Sequence, residues 1–168
     1  MLSASGGNAR DFAILQLVLQ TGIRVSELAN LRLAHLDLPA RTLLIKHGKG
    51  DNDRVIDLER KAIQALQNYL TVWGDVLDDR LFLNYKGEGI TDHGVKKIVE
   101  KYRVVAGITK QVSCHSLQHT FGTYKAEQGM SAFQLQQCLG HSSIQTTAIY
   151  VRMGRTNARK VMEATSIL

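Results

Sequence analysis

Three histidines and a tyrosine that follows them could do chemistry together. The stretch from residue 114 to residue 150 places His115, His119, His141 and Tyr150 among apolar runs that predict consecutive short helices. A phenol ionises near pKa ~10 and is a poor nucleophile at neutral pH, so a catalytic tyrosine needs neighbouring bases and cations. The three imidazoles could serve as those bases.

The same stretch also contains ligand types that suit zinc. Cys114 and Cys138 accompany the three histidines, and thiolates and imidazoles are the usual zinc ligands. Structural zinc sites usually hold two cysteines two to four residues apart, a spacing that this sequence lacks. Cys138 also lies in an apolar run, where a buried thiol is expected. We therefore assign no metal ligand, and a zinc-binding module remains an alternative that metal analysis would test.

An arginine near the start of the chain is a candidate for binding an anion. Arg24 precedes Ser26, which is the predicted N-cap of a short helix containing Glu27. At such a helix entrance, backbone N–H groups and a guanidinium could converge on one anion. The alternative is a surface arginine in a salt bridge with Glu27.

Four separated motifs resemble those of a known family. They are T-G-I-R-V-S-E-L at 21–28, H-x-L-x-H at 115–119, L-G-H at 139–141 and T-x-x-x-Y at 146–150. In this order and spacing, the sequence resembles the catalytic domain of the tyrosine recombinases, the phage integrase family, from about Asn8 to about Arg159. One position departs, because the family's pattern is H-x-L-R-H and this chain has Gln118.

The resemblance implies a transesterification on DNA. Tyr150 would attack a phosphodiester and form a 3′-phosphotyrosyl link, which requires no metal and no other cofactor. Arg24 and His141 would balance the charge on the non-bridging oxygens. His115 would accept the proton of the tyrosine or donate it back. Lys49, which lies in a G-K-G setting, would protonate the leaving oxygen.

Gln118 weakens this picture. Glutamine carries no charge and cannot make the bidentate contact of a guanidinium with a phosphate. The loss of one such stabilising group costs about 3 to 4 kcal/mol, or roughly a hundred- to a thousandfold in rate. The sequence thus predicts a slow or nearly inactive recombinase that still binds DNA. The alternative is a catalytically inactive DNA-binding relative that acts as a regulator or decoy.

The hydrophobic pattern predicts a mainly helical domain with one small antiparallel β-hairpin, an α+β fold. Apolar residues at spacings of three and four predict a helix that starts at Ala9 and ends with Gly22 as its C-cap. The only proline, Pro39, marks a break in the helical register. Further helices are predicted over 60–73, over 92–106 with Thr91 as N-cap, over 116–128, after Ser131, and between Ser142 and Tyr150.

Basic residues that could contact DNA phosphates are spread along the chain. Thr42–Lys46 and Arg54–Leu58 are predicted strands that flank a glycine-containing loop with Lys49 at its tip. A solvated surface lysine is the alternative for each lysine. The candidates for DNA binding are Lys46, Arg54, Lys96, Lys97, Lys110 and Arg152.

Size and charge agree with a DNA partner without requiring one. The 168 residues suit a single domain. The balance of 21 Lys and Arg against 15 Asp and Glu gives a net charge of +6, which favours a polyanionic partner. No apolar run approaches the ~20 residues of a membrane span, and no signal peptide is found, so we expect a cytoplasmic protein with free thiols.

We expect one catalytic domain over residues 1–168. Relatives usually carry a separate DNA-clamping domain on the N-terminal side, and this sequence contains no counterpart to it. Residues 151–168 form a C-terminal tail, which relatives pack on a neighbouring protomer; packing on the chain's own domain is equally compatible with the residues. We expect a monomer in solution that assembles into dimers to tetramers on double-stranded DNA, with no membrane partner.

Overall fold

Helices dominate the computed structural model, which describes residues 1–46, 53–74 and 78–152. In these ranges, three strands form one antiparallel sheet in the order β1 (Leu36–Asp37), β2 (Thr42–Ile45) and β3 (Arg54–Asp57). The predicted class, mainly α with a small antiparallel sheet, is confirmed. The helices are α1 (Leu2–Ser5), α2 (Ala9–Thr21), α3 (Val25–Ala29), α4 (Arg60–Leu70), α5 (Asp92–Val105), α6 (Cys114–Glu127), α7 (Ala132–Leu139) and α8, described over 144–152.

The sheet contains the predicted hairpin and one further strand. Strands β2 and β3 pair from Thr42 opposite Asp57 to Ile45 opposite Arg54, close to the predicted bounds. The loop that joins them, including Lys49, lies outside the described residues. Strand β1 was not predicted, because its two residues are too few to show an alternating pattern.

Helix α2 is the centre of the fold. Its apolar residues are buried on nearly all sides, and it packs against α4 and α6. The Asn8 side chain accepts a hydrogen bond from the Asp11 amide at the N-terminus, and Gly22 ends the helix with φ 64°. The predicted bounds of this helix are confirmed. Within the described ranges, no helix is long and apolar enough to cross a bilayer.

Side-chain caps define where the helices around the site begin. Thr91 and Ser131 cap α5 and α7 as predicted. Ser113 caps α6, which therefore begins two residues before the predicted start at Ser116 and includes His115. The prediction that Ser26 caps α3 is wrong: α3 begins at Val25, because the Glu27 carboxylate accepts from the amide of Arg24, the N-cap residue.

The buried apolar residues form two clusters. The larger lies around α2, α4 and α5, and the smaller contains Phe121, Leu135, Leu139 and Tyr150. Gly22 lies against the smaller cluster, since a Cβ there would come within 2.5 Å of Phe121 and 2.6 Å of Leu139. The turn that precedes Arg24 thus needs glycine both for its positive φ and for this close approach.

Candidate active site

Tyr150 lies inside the smaller cluster and not on the surface. Helix α8 carries it, and the residue is 2% exposed. Its ring lies over Gly122 of α6, where a Cβ would stand 3.0 Å from three ring carbons. Burial raises the pKa of the Tyr150 hydroxyl above its usual value of 10. The phenol in this position is therefore protonated at neutral pH.

Two imidazoles lie next to the tyrosine ring, and a third lies next to one of these two. The His119 ring stands edge-on to the Tyr150 ring with centroids 5.0 Å apart, and the His115 ring stands edge-on to His119 at 4.8 Å. The prediction that the two α6 histidines share one side of the helix is confirmed. The His141 ring lies 6.4 Å from Tyr150 at an interplanar angle of 22°.

Two of these imidazoles favour the neutral form. Burial, followed by the neighbouring His115, lowers the pKa of His119. Burial also lowers the pKa of His141, with smaller contributions from Arg24 and Arg54. A neutral imidazole carries one N–H donor and one acceptor nitrogen, so each of these groups can donate one hydrogen bond and accept another at neutral pH.

His141 is held by its neighbours along the chain. Gly140 ends α7 with φ 62°, as predicted, and turns the chain so that His141 faces α8. The His141 Nδ1 shares a hydrogen bond of 3.0 Å with the hydroxyl of Thr147, which is fully buried. No residue in the described ranges hydrogen-bonds to the other ring nitrogen, Nε2. Thr147 was not predicted as a site residue, although its position three residues before Tyr150 places both on one side of α8.

Arg24 reaches the same region from the opposite end of the sequence. Its Nη2 donates to the carbonyl oxygen of Gly140 at 2.5 Å. Its Nη1 lies 3.6 Å from a Glu27 oxygen, and its side chain is 36% exposed. The salt bridge with Glu27 therefore exists, and it does not keep the guanidinium away from the turn that holds His141.

Gln118 is turned away from solvent. It is 6% exposed, and its Nε2 donates to the Gly22 carbonyl oxygen at 2.9 Å. This hydrogen bond joins α6 to the turn just before Arg24. At the position where the family pattern has arginine, the chain thus has a neutral group bonded to the protein backbone.

Glu27 and Arg54 form a buried ion pair behind Arg24. Both terminal nitrogens of Arg54 donate to Glu27 at 2.8 Å, and the exposed fractions of the two side chains are 10% and 6%. Burial alone would raise the pKa of Glu27, but the hydrogen bonds and charges of Arg54 and Arg24 outweigh it and lower the pKa. The pair joins β3 to α3, and no local sequence pattern indicated it.

The remaining sequence-predicted residues fall in different places. Lys46 follows β2, Lys96 and Lys97 lie on α5, Lys110 precedes α6, and Arg152 lies on α8; all five are exposed. Lys49 lies outside the described residues, as does the tail beyond Arg152. Among the residues that the structure describes, no group of three or more His, Cys, Asp or Glu side chains could hold a metal ion.

The chain belongs to the phage integrase family, whose model matches residues 2–156. It is 38% identical to a tyrosine recombinase of Pseudothermotoga lettingae, over 91% of this chain and 53% of the relative. It is also 38% identical to tyrosine recombinase XerC of Thermodesulfovibrio yellowstonii, over 86% of this chain and 50% of the relative. The chain thus spans about half the length of these curated relatives.

Solved structures show the same fold. The crystal structure of XerA recombinase matches 99% of this chain and 62% of its own, with a TM-score of 0.90 and 30% identity. The XerH site-specific recombinase bound to palindromic difH substrate, a post-cleavage complex, matches 95% of this chain and 46% of its own, with a TM-score of 0.78 and 31% identity.

Proposed function

We propose that this chain is the catalytic part of a site-specific DNA recombinase that cuts and rejoins strands through a 3′-phosphotyrosyl intermediate. The observation that carries the proposal is the grouping of Tyr150 with the imidazoles of His119 and His141 and, at Gly140, the guanidinium of Arg24. The similarity to the XerH site-specific recombinase, whose structure with palindromic difH substrate is a post-cleavage complex, supports cleavage of DNA.

Cleavage would proceed as one displacement at phosphorus. The Tyr150 hydroxyl gives its proton to the histidine pair of α6, with His115 as the acceptor, and its oxygen forms a bond to phosphorus. The bond to the 5′ oxygen breaks, and Lys49 protonates that oxygen as it leaves. Arg24 and His141 donate to the non-bridging oxygens, where negative charge builds up. Attack of a partner strand's 5′-hydroxyl reverses the step, and no metal or nucleotide is consumed.

The nucleophile has to leave its present position first. A side chain that is 2% exposed cannot reach a phosphate of a DNA duplex. Cleavage therefore requires Tyr150 to move out from Gly122 and the apolar cluster while Arg24 stays at the turn of Gly140. DNA binding would supply the free energy for this movement.

Exposed basic residues would hold the duplex. Lys46, Lys96, Lys97, Lys110 and Arg152 are all exposed, and basic side chains of this kind commonly contact DNA phosphates. We propose a monomer in solution and assembly into dimers to tetramers on DNA in the cytoplasm. Sizing with and without DNA tests the assembly.

Covalent trapping tests the proposal. The parent chain, its Gln118→Arg form and its Tyr150→Phe form are each incubated at low salt with a pool of nicked duplexes and then separated on a denaturing gel. We expect many adducts with Gln118→Arg, few with the parent and none with Tyr150→Phe. Adducts that survive in Tyr150→Phe would exclude Tyr150 as the nucleophile.

Gln118 favours a second candidate, an inactive DNA-binding relative. Its amide is bonded to the Gly22 carbonyl and carries no charge toward a phosphate. Binding of DNA without adducts in either the parent or Gln118→Arg would support this candidate. Stoichiometric zinc in the purified protein would instead favour the zinc-binding alternative.

A further inference from the structure

We propose that Arg54 is a positioning residue that holds Arg24 and His141 together in one site, and that it does not contact DNA phosphate. The inference rests on the proposed function, because it names the residue that assembles that site. Arg54 lies on β3 and meets two other elements, α3 through Glu27 and the end of α7 through the carbonyl of Cys138.

On the α3 side, Arg54 fixes Glu27, and Glu27 fixes Arg24. The two nitrogens of Arg54 donate to separate Glu27 oxygens, a bidentate contact that allows little rotation of the carboxylate. One of these oxygens also accepts from the Arg24 amide at 2.9 Å, and the other lies 3.6 Å from the Arg24 guanidinium. Through Glu27, Arg54 thus helps to fix both the backbone and the side chain of Arg24.

On the α7 side, Arg54 fixes the turn that carries His141. Its Nε donates to the Cys138 carbonyl oxygen at 3.0 Å. The last carbonyls of a helix have no intrahelical partner, so this bond satisfies one of them. Two residues on, Arg24 donates to the carbonyl of Gly140. The two arginines therefore hold successive parts of the turn, and His141 follows directly.

Burial argues against a phosphate contact for the same side chain. Arg54 is 10% exposed, whereas Arg24 is 36% exposed. Moving the Arg54 guanidinium to a DNA phosphate would leave the Glu27 carboxylate buried without its bidentate partner, which is strongly unfavourable. Lys46, at the end of the neighbouring strand, is exposed and provides a matched control.

Salt dependence separates the two roles. Each phosphate contact contributes about 0.9 to the slope of log binding constant against log salt concentration. We expect Lys46→Gln to reduce this slope by roughly that amount, and Arg54→Gln to leave it unchanged. An equal reduction by both variants would overturn the proposal and make Arg54 a phosphate contact.

Cleavage in the Gln118→Arg background separates positioning from stability. We expect Arg54→Gln to slow adduct formation about tenfold to a hundredfold. Arg54→Lys should restore little of this rate, because lysine keeps the charge but cannot make the bidentate contact with a carboxylate. The double variant Arg54→Gln with Glu27→Gln removes the carboxylate that has lost its bidentate partner, and it should regain stability to urea without regaining adducts. If the double variant forms adducts as fast as the Gln118→Arg form alone, Arg54 is not a positioning residue.

The titration of His141 tests the placement of Arg54 beside this site without requiring cleavage. The charged or titratable groups that influence His141 are Arg24, Arg54, His115 and His119, and burial is the largest influence on its pKa. Loss of the Arg54 charge should raise the pKa of His141 in the free protein, measured by NMR. An unchanged titration in Arg54→Gln would overturn the proposal. If no form traps DNA, the proposed function fails, while this measurement and the salt slope still test Arg54.

Discussion

The two halves of the site are held by different forces. Arg24, Glu27 and Arg54, which we call the arginine half, are joined by charged hydrogen bonds between buried or half-buried groups. Tyr150 and the apolar cluster around it, which we call the tyrosine half, are held by ring and methyl contacts. None of the residues described hydrogen-bonds to the Tyr150 hydroxyl. The groups that would bind phosphate in the proposed reaction are therefore fixed in advance, whereas the proposed nucleophile can be released.

This difference has a physical basis. Charged hydrogen bonds are directional, and separation of a buried pair leaves a charge without solvent or partner. Apolar packing is not directional, so a ring can leave a cluster when another surface or a substrate compensates for the lost contacts. A site with the proposed function, which would have to wait for DNA before it cuts, would benefit from this division.

The largest expected effect compares one substitution in each half. At pH 7, Glu27→Gln should lower the free energy of unfolding by about 3 to 5 kcal/mol, because the buried Arg54 loses its counter-charge. Tyr150→Phe should change it by less than about 0.5 kcal/mol, because the lost hydroxyl has no partner among the described residues. Urea denaturation measures both. Equal losses would mean that the halves do not differ in this way.

The next effect concerns the residue between the halves. Gln118→Arg should raise the rate of adduct formation at least about tenfold, since a guanidinium can stabilise the charge on the phosphate. Gln118→Lys is the matched control, and it should recover less because a lysine lacks the bidentate geometry. Equal cleavage by the parent and the arginine variant would point to another cation in that role.

Acid should weaken the arginine half selectively. Because the folded-state pKa of Glu27 lies below its usual value of 4.5, its ion pair contributes stability above pH 4.5. This contribution is lost as the pH falls through the lower folded-state pKa. We therefore expect the free energy of unfolding to fall more steeply below about pH 4.5 in the parent than in Glu27→Gln. Parallel curves would contradict the assignment.

The smallest expected effect comes from a substitution that loosens the packing of the tyrosine half. In Gly122→Ala the new methyl group would push against the Tyr150 ring, which lies 3.0 Å from the position of that Cβ. We expect a loss of about 1 kcal/mol in stability and a several-fold faster nitration of Tyr150. Tyr85, which is 90% exposed, serves as the internal reference. Unchanged nitration of Tyr150 would show that the cluster absorbs the methyl group without moving the ring.

Much of the fold could be predicted because its signals are local. The apolar period and Gly22 defined α2, the glycine-rich loop indicated the hairpin, and Thr91 and Ser131 marked helix starts. The start of α3 was missed, because Ser26 matches the preference for an N-cap while the reciprocal bond of Glu27 to the Arg24 amide decides the position. Strand β1 was missed because its two residues are too few to show an alternating hydrophobic pattern.

The sequence by itself determined which groups could do chemistry, but the packing of α6 against α8 brought His119 to Tyr150. Only the tertiary structure decided the rest. Arg24 meets Gly140 across 116 positions, Arg54 meets Cys138 across 84, and Gln118 meets Gly22 across 96. Such pairs form when packed elements bring distant backbone carbonyls and side chains together, and no periodicity or cap in the sequence specifies them.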